Sequence, residues 1–272
     1  MGCDIPDTIA YVDNRITWGS TQWGICNLCS TLITDERNVQ VISRNINGGK
    51  ANEGLLDEAN LEKAIAVNFE GKYMLTINGN CYAWDYAYSP YQSSSTSRSW
   101  SPDVAAKALS WFKWDNIKLS CWKILNRICY YGSDANLCYF DDSYSDFGKA
   151  ISSYYQTPMM YFGAYDYLKT VKKAFFFVRG DTPVHTTITY ITDDDSEGEA
   201  DPEDIFVNTQ LWKEFVWNTW GWSYVKFAKT FARKCSMKKI NLFGILLQNS
   251  ELDRDMSLSG IKLEYTLVKE IK

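Results

Sequence analysis

The sequence predicts an all-β protein: a partial β-propeller-like repeat of three blade-like units over residues 1–148, then an antiparallel β-sandwich over 149–272. Two observations carry this expectation. An ungapped repeat recurs at a spacing of 56 residues in the first half, and apolar and polar residues alternate with period two in the second. With 272 residues, 46% of them hydrophobic and 15% aromatic, the chain has material for two cores.

The repeat is visible when residues 9–29, 65–85 and 121–141 are aligned. Each window reads as strand, tight turn, strand, tight turn, strand. The first turn is expected at Asp13-Asn14, Glu70-Gly71 and Leu125-Asn126, and the second at Gln22-Trp23-Gly24, Asn78-Gly79-Asn80 and Asp134-Ala135-Asn136. Asn and Gly recur there because hairpin turns need positive φ, which Gly adopts freely and Asn tolerates well. Between the turns the residues are aromatic and β-branched, as half-buried pleated surfaces require. Leu28, Trp84 and Phe140 share one repeat position, and Ile25, Cys81 and Leu137 share another. Both positions are expected on the inward face.

A strand-rich unit at this spacing is the mark of a propeller blade, with the extra length held in the connectors. The first connector is acidic and helix-compatible over 52–63, and the second has a Ser cap and an N1 proline opening a short helix over 102–109. Three units are too few to close a ring, which typically has about four to eight blades. An open stack leaves an apolar face, so Tyr73, Leu75, Ile77, Ile128 and Tyr130, in the apolar middles of two hairpins, are the candidate interface residues.

In the second half, strands are expected at 172–177, 186–191, 239–248 and 257–268. Ile261, Leu263, Tyr265 and Leu267 fall on one side of the last of these. Trp212, Trp217, Trp220 and Trp222 cluster between the strands, where flat aromatics serve either core packing or a sugar platform. Phe227, Phe231 and Cys235 have the spacing of a helix face flanked by basic residues. Asp193, Asp195, Glu197, Asp201 and Asp204, with Gly198, match the oxygen-ligand positions of a calcium loop. Strand-like flanks, Asp204 in place of a bidentate Glu, and Pro202 favour a solvated acidic loop instead. No cofactor is expected, calcium being the one ion this loop could hold.

Several classes of function are disfavoured. A net charge of −5 and a pI of about 5.1 argue against general nucleic-acid or anionic-membrane binding. His185 is the single histidine, which removes chemistries that need two. Phosphate loops, nucleophile elbows and HExxH motifs do not occur. Asp85 and Asp141 share a repeat position, which suits a strand-end partner better than one asymmetric catalytic pair. Eight cysteines include the CxxC Cys26–Cys29, which sits in a strand pattern and has no second pair to complete a zinc site. Buried, reduced thiols are expected.

Two stretches resemble structural proteins of tailed bacteriophages and prophages that join a β-propeller to a C-terminal β-sandwich. One is Ala66–Tyr86; the other runs from Arg127–Asp134 through Tyr139–Asp142, Ile151–Pro158, Phe162-Gly163 and Lys172-Lys173. The resemblance implies a non-enzymatic, tail-associated virion protein with no catalytic residues, whose partners are other virion proteins or itself. Its expected location is the virion, or the cytoplasm of a bacterial host before assembly. Residues 1–7 lack a basic then apolar leader, in keeping with that location. The alternative reading is a carbohydrate-binding or carbohydrate-cleaving β-propeller protein, with a glycan as partner.

Overall fold

A computed structural model describes residues 2–30, 37–49, 54–87, 109–133, 135–141, 143–179, 184–193, 203–207 and 229–270. The described chain is all-β, built of several antiparallel sheets, and divides into two compact units, Met1–Asp141 and Asp142–Lys272. The division comes a few residues before the expected 148/149 boundary. Residues 145–150 form a small hairpin of their own instead of extending the third meander.

The first unit holds three meanders. Strands β1 (Ile5–Val12), β2 (Arg15–Ser20), β3 (Gly24–Ser30) and β4 (Arg37–Val41) pair in sequence order. So do β5 (Ile65–Phe69), β6 (Lys72–Ile77), β7 (Asn80–Asp85) and β8 (Trp111–Trp114). The third sheet contains β9 (Cys121–Leu125), β10 (Ile128–Ser133) and β11 (Asn136–Tyr139). Two-residue turns with positive φ at both positions join the hairpins at Asp13-Asn14, Glu70-Gly71, Asn78-Gly79 and Asn126-Arg127. Such turns match the right-handed twist of the strands they join.

The repeat is therefore physical, with one correction. The third sheet turns at Asn126-Arg127, one residue after the expected Leu125-Asn126, and so superimposes on Glu70-Gly71 at a shift of 56. The first sheet turns one residue early and recovers its register through a three-residue loop, Ser20 pairing with Gly24, whose φ is +82°. Glycine takes that conformation without the Cβ clash other residues meet.

Successive sheets pack face on face. One face of each sheet, here the leading face, meets the opposite, trailing face of the next. Val12 and Ile25 from the first sheet share a core with Tyr73, Leu75, Tyr82 and Trp84 from the second. Met74, Cys81 and Ala83, on the other side of the second sheet, pack with Trp114 and Trp122. The Trp122 ring stacks on Phe140 at 5.6 Å. The two repeat positions expected to face inward together in fact project to opposite sides, because strand residues three apart alternate faces. Trp84 and Cys81 are both fully buried, but in different cores.

The first strands run closest together: β1 lies against β5, and β5 against β9. Residues 54–64 fill the space beside the first two sheets as two 3₁₀ turns, Leu55–Asp57 and Leu61–Lys63, burying Leu55 and Leu61 where a longer helix was expected. Glu58 fastens this connector to the second sheet, accepting from Asn80 at 2.7 Å, Tyr82 Oη at 2.8 Å and Asn78 at 3.1 Å. The expected helix at 102–109 lies almost wholly outside the described residues.

The second unit places two sheets on one core. Beyond the small hairpin of β12 (Ser145–Asp146) and β13 (Lys149–Ala150), β14 (Ser153–Gln156), β19 (Phe243–Asn249), β16 (Val184–Thr192) and β17 (Glu203–Val207) form one sheet, in that spatial order. The other has β15 (Tyr167–Arg179) between β18 (Lys229–Ile240) and β20 (Ser257–Glu270). Val171, Ala174, Phe176 and Val178 of β15 meet Val184, Ile188, Tyr190, Phe243 and Ile245 of the first sheet, in keeping with the sandwich expectation.

Three expectations are corrected here. Residues 239–248 form two strands, broken at Asn241-Leu242, because Asp193 Oδ1 accepts both turn amides, at 3.0 and 2.9 Å. Phe231 and Cys235 lie on strand β18 rather than on a helix, since β15 supplies its hydrogen-bond partners, with Phe176 opposite Phe231. On β20, Ile261 and Leu263 face the core, but Leu267 is exposed. A register shift lies between the pairs Val171–Tyr265 and Lys173–Glu264. Tyr265 instead stacks on Phe162 at 4.6 Å. Phe227 is outside the described residues.

Burial sets the cost of substitution. Trp84→Ala should lower unfolding free energy by about 3–5 kcal/mol in urea melts, since it empties a closed site between two sheets. Leu137→Ala, at an exposed position, should stay within about 0.5 kcal/mol.

Glu58 predicts a pH dependence. Burial pushes its carboxyl up, but the hydrogen bonds from Asn78, Tyr82 and Asn80 outweigh this and hold it below the ordinary glutamate value of 4.5. A folded pKa below the unfolded one stabilises above the unfolded value and is lost as pH falls through the folded value. Glu58→Gln should therefore cost about 1 kcal/mol at pH 7 and remove part of the loss of stability below about pH 4.5, read from urea melts across pH.

Candidate interaction surface

The interface residues expected from sequence divide into two groups. Tyr73, Leu75 and Ile77 are interior, at most 7% exposed, and lie in the core shared with the first sheet. That is a correction: their face is already covered by the chain itself. Tyr73 donates its hydroxyl to the Thr8 carbonyl at 2.9 Å, and burial holds its phenol well above the usual range. Asn68 reaches the Tyr11 carbonyl from the same face at 2.7 Å.

Ile128 and Tyr130 belong to the leading face of the third sheet, and no further sheet of the first unit packs on it among the described residues. Ile128 pairs with Leu125, Tyr130 with Tyr139, and Gly132 with Leu137. Directly opposed antiparallel residues share a face, so all six lie together. Leu137 is 75% exposed, and Leu125 and Tyr139 are each 57% exposed. The Tyr130 and Tyr139 rings meet at 6.1 Å.

The other end of the stack is the trailing face of the first sheet. Tyr11 pairs with Ile16 there, and both are exposed. Trp18 and Cys26, paired on the same face, are buried. The Trp18 indole donates to the Gly2 carbonyl at 3.3 Å, so the N-terminal stretch lies over part of this surface. Leu137 was expected on an inward face and is open instead, because no further sheet of this unit covers it among the described residues; Leu125 was read as a turn residue, and Tyr139, Tyr11 and Ile16 were not singled out from the sequence. Their signal was present: each occupies a repeat position in a terminal unit that is covered in an internal one.

The remaining candidates are placed as follows. Asp193 caps the turn between β18 and β19, and the backbone of Asp204 lies on β17 opposite Thr187. Asp195, Glu197 and Asp201 lie outside the described residues, as do Trp212, Trp217, Trp220 and Trp222. Among the described residues no group of three His, Cys, Asp or Glu side chains is arranged to hold a metal, and no helix is long and apolar enough to cross a membrane. Lys169 is buried and donates to the Asn241 carbonyl at 3.0 Å and to its Oδ1 at 3.2 Å. Burial pulls its ammonium pKa down, against the opposing pull of Asp193 and Asp166. Asp85 pairs across the strands with Lys72, 3.9 Å away, as a strand-end partner would. His185 is exposed on β16, and its backbone amide donates to Glu251 at 2.9 Å.

No protein-family model matches the chain, and no curated protein matches it.

Among the cysteines, the CxxC lies within β3, not at a helix N-terminus. Burial pushes Cys26 and Cys129 up to about 11 and Cys81 to about 12, far above the range of reactive thiols. Cys3 and Cys121 are exposed. A disulfide-exchange dye at pH 8 should therefore label Cys3 and Cys121 promptly in native protein. Cys26, Cys81, Cys129, Cys138 and Cys235 should react only after denaturation, as peptide mass mapping would show. Prompt labelling of Cys81 would contradict its burial.

Proposed function

We propose that this chain is a non-enzymatic structural protein of a phage or prophage virion, acting through protein–protein contacts made by an incomplete propeller-like stack. The observation that carries the reading is the pair of apolar faces left open at the two ends of the stack. Large exposed apolar patches on soluble proteins mark interaction sites. The near approach of the first strands, with connectors filling the space beside the sheets, supports a fan of blades around a common axis. The tail-associated assignment rests on the resemblance of residues 66–86, 127–134, 139–142, 151–158, 162–163 and 172–173 to phage structural proteins. Such a role asks for surfaces rather than catalysis, and the buried thiols and paired carboxylates serve the fold.

Purified virions from a host carrying the gene test this directly. Immunogold labelling and peptide mass spectrometry should find the protein on the particle, at the tail. Its absence from particles, together with saturable binding on a glycan array, would overturn the reading in favour of the carbohydrate-binding one.

A further inference from the structure

We infer that the open leading face of the third sheet and the open trailing face of the first are two halves of one interface, closed head to tail by a second copy of this chain. The inference rests on the propeller-like reading of the stack. The same contact, leading face on trailing face, is already made twice within the chain, between the first and second sheets and between the second and third. The two open faces carry the same positions of the repeat. Leu137 stands where Ile25 and Cys81 stand in the buried contacts, Tyr130 where Met74 stands, and Leu125 where Phe69 stands. On the other side, Ile16 stands where Tyr73 stands and Leu28 where Trp84 stands.

Side-chain size supports pairing of these two ends with each other. In the buried contacts small leading residues, Asn27 and Ala83, go with large trailing ones, Trp84 and Phe140. The open ends reverse the sizes: Tyr139 leads and Leu28 trails. Total volume across the contact is thereby kept, the condition under which apolar packing is best tolerated. Two like ends would set Tyr139 and Leu137 against themselves and leave the small face unfilled.

Geometry then limits the assembly. Head-to-tail contacts are heterologous and close into a ring when the rotation per step permits. Two copies of a three-sheet stack make six sheets, inside the range of about four to eight in closed propellers. The inferred product is a two-fold ring containing the interface twice.

Sedimentation velocity of the full chain at micromolar concentration, with Leu137→Arg and Ile16→Arg variants, tests this. Both sites are exposed, so the variants should keep wild-type circular dichroism and melting. Wild type should sediment at twice 31.3 kDa. Each variant alone should raise the dissociation constant at least about tenfold. An equimolar mixture of the two should regain a dimer, since it holds one unaltered interface. A wild-type monomer, an open polymer, or a dimer broken by Leu137→Arg but not by Ile16→Arg would overturn the inference. The last result would indicate a like-on-like contact. None of these bears on virion labelling, so the ring can fail while the assembly reading stands.

Discussion

The first unit depends on pairs of adjacent residues with positive φ at the tips of its hairpins. Each two-residue turn locks the register of its strands, and in a strand a slip of one residue exchanges the two faces. Asn78-Gly79 and Asn126-Arg127 therefore do more than reverse the chain. They decide that Tyr82 and Trp84 point to one neighbour while Cys81 and Ala83 point to the other. In the first sheet an early turn is offset by a longer second loop, and Ile25 still reaches the same side as Cys81.

Because the second sheet uses both faces, a different one toward each neighbour, the stack has a direction. Each sheet offers a leading face to the next and a trailing face to the one before, and repetition of one contact brings no natural end. Among the described residues, three sheets take part in it. The connectors contribute by filling the space beside the sheets: Leu55 and Leu61 complete the first core, and Glu58 holds their segment to the second sheet by three hydrogen bonds. The aromatic content serves the same purpose, with Trp114, Trp122, Tyr131 and Phe140 forming one ring cluster between the second and third sheets.

The second unit follows a different logic, with two sheets closing on a single core around the long central strand β15. Its polar interior is small but fully used at one point. Buried Lys169 donates to Asn241 while Asp193 receives the Asn241 and Leu242 amides, so a charge from each of two strand ends fixes the turn between β18 and β19. A buried ammonium must find such acceptors or lose its charge.

The sequence by itself determined what depends on near neighbours: the all-β class, the 56-residue period, the hairpin sites marked by Asn and Gly, and the apolar character of the strands. Turn chemistry and period-two patterning act within a few residues, so they are legible without a fold. The tertiary structure decided what depends on distant partners. Phe231 and Cys235 have helix spacing, yet β15 draws their segment into a strand. Tyr73 and Leu137 read alike as apolar strand residues, yet one is sealed beneath the first sheet and the other open. Whether an apolar residue becomes core or surface is set by the sheet that covers it, and no local pattern records that sheet's presence.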